Sequence, residues 1–135
     1  MSLRSNYHEF FLPNGLKVCL FEIPSVMSVY AEITIRVGAI DEKENERGIS
    51  HFLEHSAFHG TEKHPSHKDI AEYTESHGIW HIAGTGGSST HYQVKFPDNE
   101  KENGIDFLHE LVFKPLYKPE DIEREKQVIL SEYGM

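Results

Sequence analysis

The stretch His51-Phe52-Leu53-Glu54-His55 constrains this chain more than any other, because its polar residues make chemical sense together only on a helix. There the two imidazoles lie one turn apart, and Glu54 at the intervening i+3 position projects from much the same side. Two neutral imidazole nitrogens so placed can grip one Zn²⁺, with the carboxylate directed at a water on the ion. The order is the reverse of His-Glu-x-x-His, a known inverted form of that zinc motif. With 10 histidines in 135 residues the spacing alone can arise by chance, so context has to support it. Gly48 precedes the stretch, Ile49, Phe52, Leu53 and Ala57 supply apolar positions at helical spacing, and Gly60 offers a stop.

A chain of 135 residues with 38% hydrophobic content can bury a real core, and one domain spanning residues 1–135 is expected. A formal charge of −9 argues against nucleic acid or an anionic membrane as partner, since both favour clustered Lys and Arg. It permits a neutral or basic peptide. The single Cys19 excludes an internal disulfide and a cysteine-rich zinc knuckle, which leaves His and carboxylate ligands for any metal. The sequence has no apolar run of membrane-spanning length and no apolar leader region, and a cytoplasmic location is expected.

Alternation marks strands at Leu16, Val18 and Leu20, after an Asn14-Gly15 turn, and again from Ala31 to Val37. The acidic segment from Asp41 to Glu46 then leads to the motif helix, where negative charge suits the helix dipole. Ser66-x-x-Asp69 resembles a capping box for a second helix carrying Ile70, Tyr73 and His77 and stopped by Gly78. Ile79 to Ala83 and Thr90 to Phe96 read as two strands joined through a Gly/Ser-rich link. That link is not a phosphate loop, because it lacks the Lys-Ser/Thr of one and a strand follows it. Ile105, Leu108, Leu111 and Val112 mark a third helix ending before Pro115, and Pro119 opens a fourth that can run to Tyr133.

Glu125 and Glu132 on that fourth helix are seven residues apart, hence within about 20° of each other around the axis. Either could supply the carboxylate that two histidines need to complete the three protein ligands usual in a catalytic zinc site. His59 is the local competitor, but it lies about 12 Å along the axis from His51, too stretched for three imidazoles to converge on one ion.

Taken together, these segments resemble the pitrilysin-like M16 zinc metallopeptidases. The resemblance runs from Leu12-Pro13-Asn14-Gly15-Leu16-Lys17-Val18 through Val37-Gly38-Ala39, the His51 to His55 motif and Phe58-His59-Gly60-Thr61 to the run from Glu123 to Glu132 on the fourth helix. Between His55 and Glu132 lie 76 residues, the interval that family keeps. The resemblance implies that His51, His55 and Glu132 bind one Zn²⁺ per chain. It further implies that Glu54 is the general base toward a zinc-bound water, and that Glu125 assists beside the site, by preference through a hydrogen bond that orients a histidine.

It also implies an α+β fold, a mixed and mainly antiparallel sheet with helices packed on one face, matching the first part of one peptidase domain. The expected activity is hydrolysis of peptide bonds in unstructured peptides, which would add to a strand edge formed by Trp80, His81, Ile82 and Ala83. Here the chain departs from the family, with His81-Ile82 where relatives commonly carry Asn-Ala. Relatives enclose their substrate with further domains, so a missing C-terminal domain or a homo-oligomer is the expected completion. Two other readings stand beside this one. The chain could be a catalytically silent interaction or assembly subunit, or a module that stores zinc through its many histidines.

Overall fold

The computed structural model describes residues 6–132. Two strands, β1 (Tyr7–Phe11) and β2 (Lys17–Phe21), form an antiparallel hairpin of their own. Its turn is closed by the Asn14 carboxamide oxygen, which accepts from Leu16 N–H at 3.1 Å. A second sheet contains β3 (Ser28–Ile35), β4 (Trp80–Thr85) and β5 (Thr90–Pro97) in the order β3-β5-β4. The helices are α1 (Ile49–Ser56), α2 (His67–Ser76), α3 (Lys101–Phe113) and α4 (Pro119–Glu132). The α+β reading stands, although every strand pairing among the described residues is antiparallel and the first hairpin forms a separate sheet. The last residue expected of the fourth helix, Tyr133, lies outside the described residues. No described helix is long and apolar enough to cross a membrane.

β5 is central, and its alternation decides which face the helices cover. Thr90, Tyr92, Val94 and Phe96 are buried, and the last three share a core with Ile70 of α2 and Phe107, Leu108 and Leu111 of α3. Gly104 on α3 permits the close approach, since a Cβ there would fall 2.2 Å from the Phe96 ring. Ser66 caps the helix as expected, its Oγ accepting from Asp69 N–H at 3.1 Å, but the Asp69 carboxylate accepts from the Ser66 hydroxyl at 2.5 Å and not from its backbone, so the cap is not a full capping box.

The motif helix bears out its apolar reading only in part, at Ala57, which is fully buried, and Phe52, which is half-buried. Ile49 and Leu53 are 43% and 40% exposed, whereas Ser50, Glu54 and Ser56 are buried. The face of α1 turned toward β4 is therefore its polar one, because that is where Glu54 meets Thr85. Two short 3-10 turns, Ala39–Asp41 and Glu44–Glu46, precede the helix in place of a plain acidic loop. Glu42, between them, accepts from Gly48 N–H at 2.7 Å and from Ser50 N–H at 2.8 Å. It caps α1 from outside, taking the role that the glycine at the N-cap has no side chain to play. Glu42→Ala is expected to cost about 1–2 kcal/mol of stability, as losing a cap does. Urea denaturation with an unchanged midpoint would contradict this.

Two histidines belong to the packing. His81 stacks on Phe58 with ring centroids 5.4 Å apart and lies as close to Phe107. His64 lies on Tyr73 at 4.1 Å, and its Nε2 has no hydrogen-bond partner among the described residues. Burial pushes both imidazoles below their ordinary pKa. In the unfolded chain they take up protons near about pH 6.5, before the folded chain does, so the folded state loses stability as pH falls through that value. Metal-free protein should accordingly melt lower at pH 5.5 than at pH 7.5, with a smaller difference in His81→Phe. Equal pH dependence in the two proteins would refute the assignment for His81.

Candidate metal centre

Helices α1 and α4 lie against each other so that a row of imidazoles confronts a row of carboxylates. His51, His55 and His59 follow at four-residue spacing along α1 and the 3-10 turn Ala57–His59 that extends it. Glu132, Glu125 and Asp121 face them from α4 in the opposite chain direction. His51 Nε2 is 3.7 Å from Glu132 Oε2, and His55 Nδ1 is 2.7 Å from Glu125 Oε1. His59 Nε2 is 2.6 Å from Glu125 Oε2, with its Nδ1 4.0 Å from Asp121 Oδ1.

One ligand atom from each of His51, His55 and Glu132 lies within 4.8 Å of the other two. Tetrahedral zinc with bonds near 2.1 Å holds its ligands about 3.4 Å apart, so a closure of roughly 1 Å suffices. Glu132 is exposed, and its side chain can make that adjustment. Two neutral nitrogens and one carboxylate oxygen suit zinc chemically, and the three side chains fit the ion.

Glu125 is 6% exposed and bridges His55 and His59. Burial pushes its carboxyl up, but the hydrogen bonds from His59 and His55 outweigh that and hold it below the usual carboxylate range. An ionised carboxylate only accepts, so His55 Nδ1 must carry the proton, which leaves the Nε2 lone pair for a metal. His59 is thereby occupied with Glu125, and it stands outside the three-ligand group.

Glu54, also 6% exposed, accepts from Thr85 Oγ–H at 3.0 Å. Thr85 closes β4, which among the described residues is an edge strand paired only with β5. Beside it lies an open cleft of about 400 Å³ lined by Glu54, His55, Phe58, His59, His67, His81, Ile82, Ala83 and Glu125. Of the four residues expected to meet a peptide, Trp80 alone does not line this cleft. It is 53% exposed, on a position of β4 away from the cleft lining.

Sequence reasoning missed Thr85, which it placed in the Gly-rich link, and missed Glu42 and the bridging part of His59. Only His59 left a trace in the sequence: it follows His55 by four residues, as Asp121 precedes Glu125 by four.

The profile of the family described as Insulinase (Peptidase family M16) matches residues 17–135. An uncharacterized zinc protease of Rickettsia felis is 35% identical over 130 residues, which is 96% of this chain and 31% of that protein. Protease 3 of Escherichia coli K12 is 28% identical over 129 residues, 96% of this chain and 13% of its own. The crystal structure of the periplasmic protease PqqL from Escherichia coli superposes with a TM-score of 0.85 at 26% identity, covering 98% of this chain and 16% of that one. The chain thus spans about a third or less of the length of these proteins.

Proposed function

The chain belongs to the insulinase family, peptidase family M16, and on that premise we propose that it carries the zinc site of an endopeptidase acting on unstructured peptides. The observation that carries this reading is the approach of His51, His55 and Glu132 to one another beside the buried Glu54, at the end of an open strand edge.

In this reading His51, His55 and Glu132 hold one zinc ion per chain. When bound, zinc supplies Lewis-acid polarisation of a peptide carbonyl and acidifies a water at neutral pH. The Glu54 carboxylate takes the proton of the attacking water and hands it to the leaving amine. Thr85 fixes the rotamer of that carboxylate through its hydroxyl, and Glu125 fixes the ring of His55. An extended peptide pairs with the free edge of β4, so that backbone bonds give affinity while the cleft beside Phe58 and Ile82 receives a side chain. A further domain or a second copy is the partner that would close over the bound peptide, as the greater length of the relatives suggests.

Elemental analysis is expected to find one zinc per chain. A fluorogenic unstructured peptide should be cleaved, cleavage should stop with a chelator, and zinc should restore it. Several loosely held ions would favour the storage reading. One tight ion without cleavage, even after a longer chain of the same protein is supplied, would favour the silent subunit.

A further inference from the structure

The sheet face turned away from the helices carries a second array of reactive groups. Ser89 Oγ lies 2.8 Å from His91 Nε2, and His91 Nδ1 lies 2.8 Å from Glu32 Oε1. Glu32 also accepts from Tyr30 Oη at 2.7 Å, Thr34 Oγ1 at 2.8 Å and Gln93 Nε2 at 3.0 Å. The hydrogen bond from Tyr30, with those from His91 and Thr34, outweighs burial and pulls the Glu32 carboxyl down to about 2. A carboxylate fixed in the ionised state obliges His91 Nδ1 to donate, so Nε2 presents its lone pair to the Ser89 hydroxyl. Nucleophile to base to orienting carboxylate is the order of contacts that activates a serine.

We propose that Ser89, His91 and Glu32 form a nucleophilic site, independent of metal, that accepts acyl groups from small activated esters.

Two features make the array more than a surface hydrogen-bond chain. The hairpin tip that carries Ser89 is pinned: Ala39 N–H donates to Gly86 O at 3.1 Å, Ile40 N–H to Gly87 O at 2.8 Å, and Thr90 Oγ–H to Val37 O at 3.0 Å. Gly38 packs so tightly there that a Cβ would fall 2.7 Å from Ser89 N. The surface beside the base is also open, because Gly84 is the residue paired with His91 on β4, and a Cβ added to Gly84 would meet nothing within 4 Å. A small electrophile can therefore approach a pre-oriented pair.

In the reaction, Ser89 Oγ bonds to the ester carbonyl carbon as its proton passes to His91 Nε2. The ester C–O bond then breaks and the proton leaves with the alcohol. Water, deprotonated by the same nitrogen, attacks acyl-Ser89, releases the carboxylic acid and returns a proton to Ser89 Oγ. Glu32 holds the imidazolium throughout and keeps its charge.

The test is labelling with an alkyl fluorophosphonate, in which Ser89 Oγ displaces fluoride from phosphorus. Whole-protein mass and peptide mapping should place one adduct on Ser89, with Ser88 of the same tip unmodified as internal reference. His91→Gln should slow the labelling by on the order of 10²-fold, the usual contribution of a general base. Glu32→Gln should slow it in the same direction, and Ser89→Ala should abolish it. Chelator and Glu54→Gln should leave the rate unchanged, so this result stands apart from any result on peptide hydrolysis. Labelling of Ser88 as fast as Ser89, labelling unaffected by His91→Gln, or labelling lost with chelator would each overturn the proposal.

Discussion

Glu54→Gln is expected to keep one zinc per chain and to lose peptide hydrolysis by roughly 10²- to 10⁴-fold, the range a general base contributes. That loss corresponds to about 3–5 kcal/mol of transition-state stabilisation. Glutamine has the same shape, and its amide oxygen can still accept from Thr85 Oγ, so the packing at the end of β4 is preserved while the capacity to hold a proton is gone. The same substitution replaces a carboxylate that is only 6% exposed by a neutral group, and a buried charge usually weighs against stability. The variant should therefore melt no lower than the wild type. Cleavage within tenfold of the wild type would remove Glu54 from the mechanism, and a lowered melting temperature would mean that the carboxylate is chiefly structural.

Glu132→Gln is expected to lose the metal. With the carboxylate gone, two imidazoles remain, one ligand short of the number usual at a catalytic zinc. The fall in affinity should be at least about 10²-fold, more than the loss of a group that only orients a ligand. Each hundredfold is worth about 2.7 kcal/mol. The gain in melting temperature on adding zinc should shrink accordingly. Glu132 is exposed in the last described turn of α4, so the metal-free variant should melt where the metal-free wild type does. Competition with a chromophoric chelator measures the affinity directly. Equal affinities would show that the ion is held without α4, and the proposed site would have to be redrawn.

Much of this arrangement is legible in the amino-acid sequence. The i, i+4 spacing of His51 and His55 requires a common helix face, and the 76 residues from His55 to Glu132 match a family interval. Alternation along β5 marks Tyr92, Val94 and Phe96 as one face, and they are the buried one. Helix α1 is where the pattern misleads. Apolar residues at helical spacing ordinarily mark the core side, yet Ile49 and Leu53 are exposed because the helix turns its carboxylate toward the strand edge. A site residue that must be buried beside Thr85 overrides the hydrophobic period.

The sequence by itself determined the local facts: which residues can share a helix face, where the glycines interrupt, and which side chains could hold zinc. Only the tertiary structure decided the meetings between distant segments. It brought Glu132 to His51, laid Glu125 between His55 and His59, set Thr85 against Glu54, and joined Ser89 and His91 to Glu32 across the sheet. Hydrogen bonds form only over about 3 Å. Periodicity in a chain fixes the direction of a side chain relative to its neighbours, whereas so short a distance between residues far apart in the chain is set by how strands pair and helices pack.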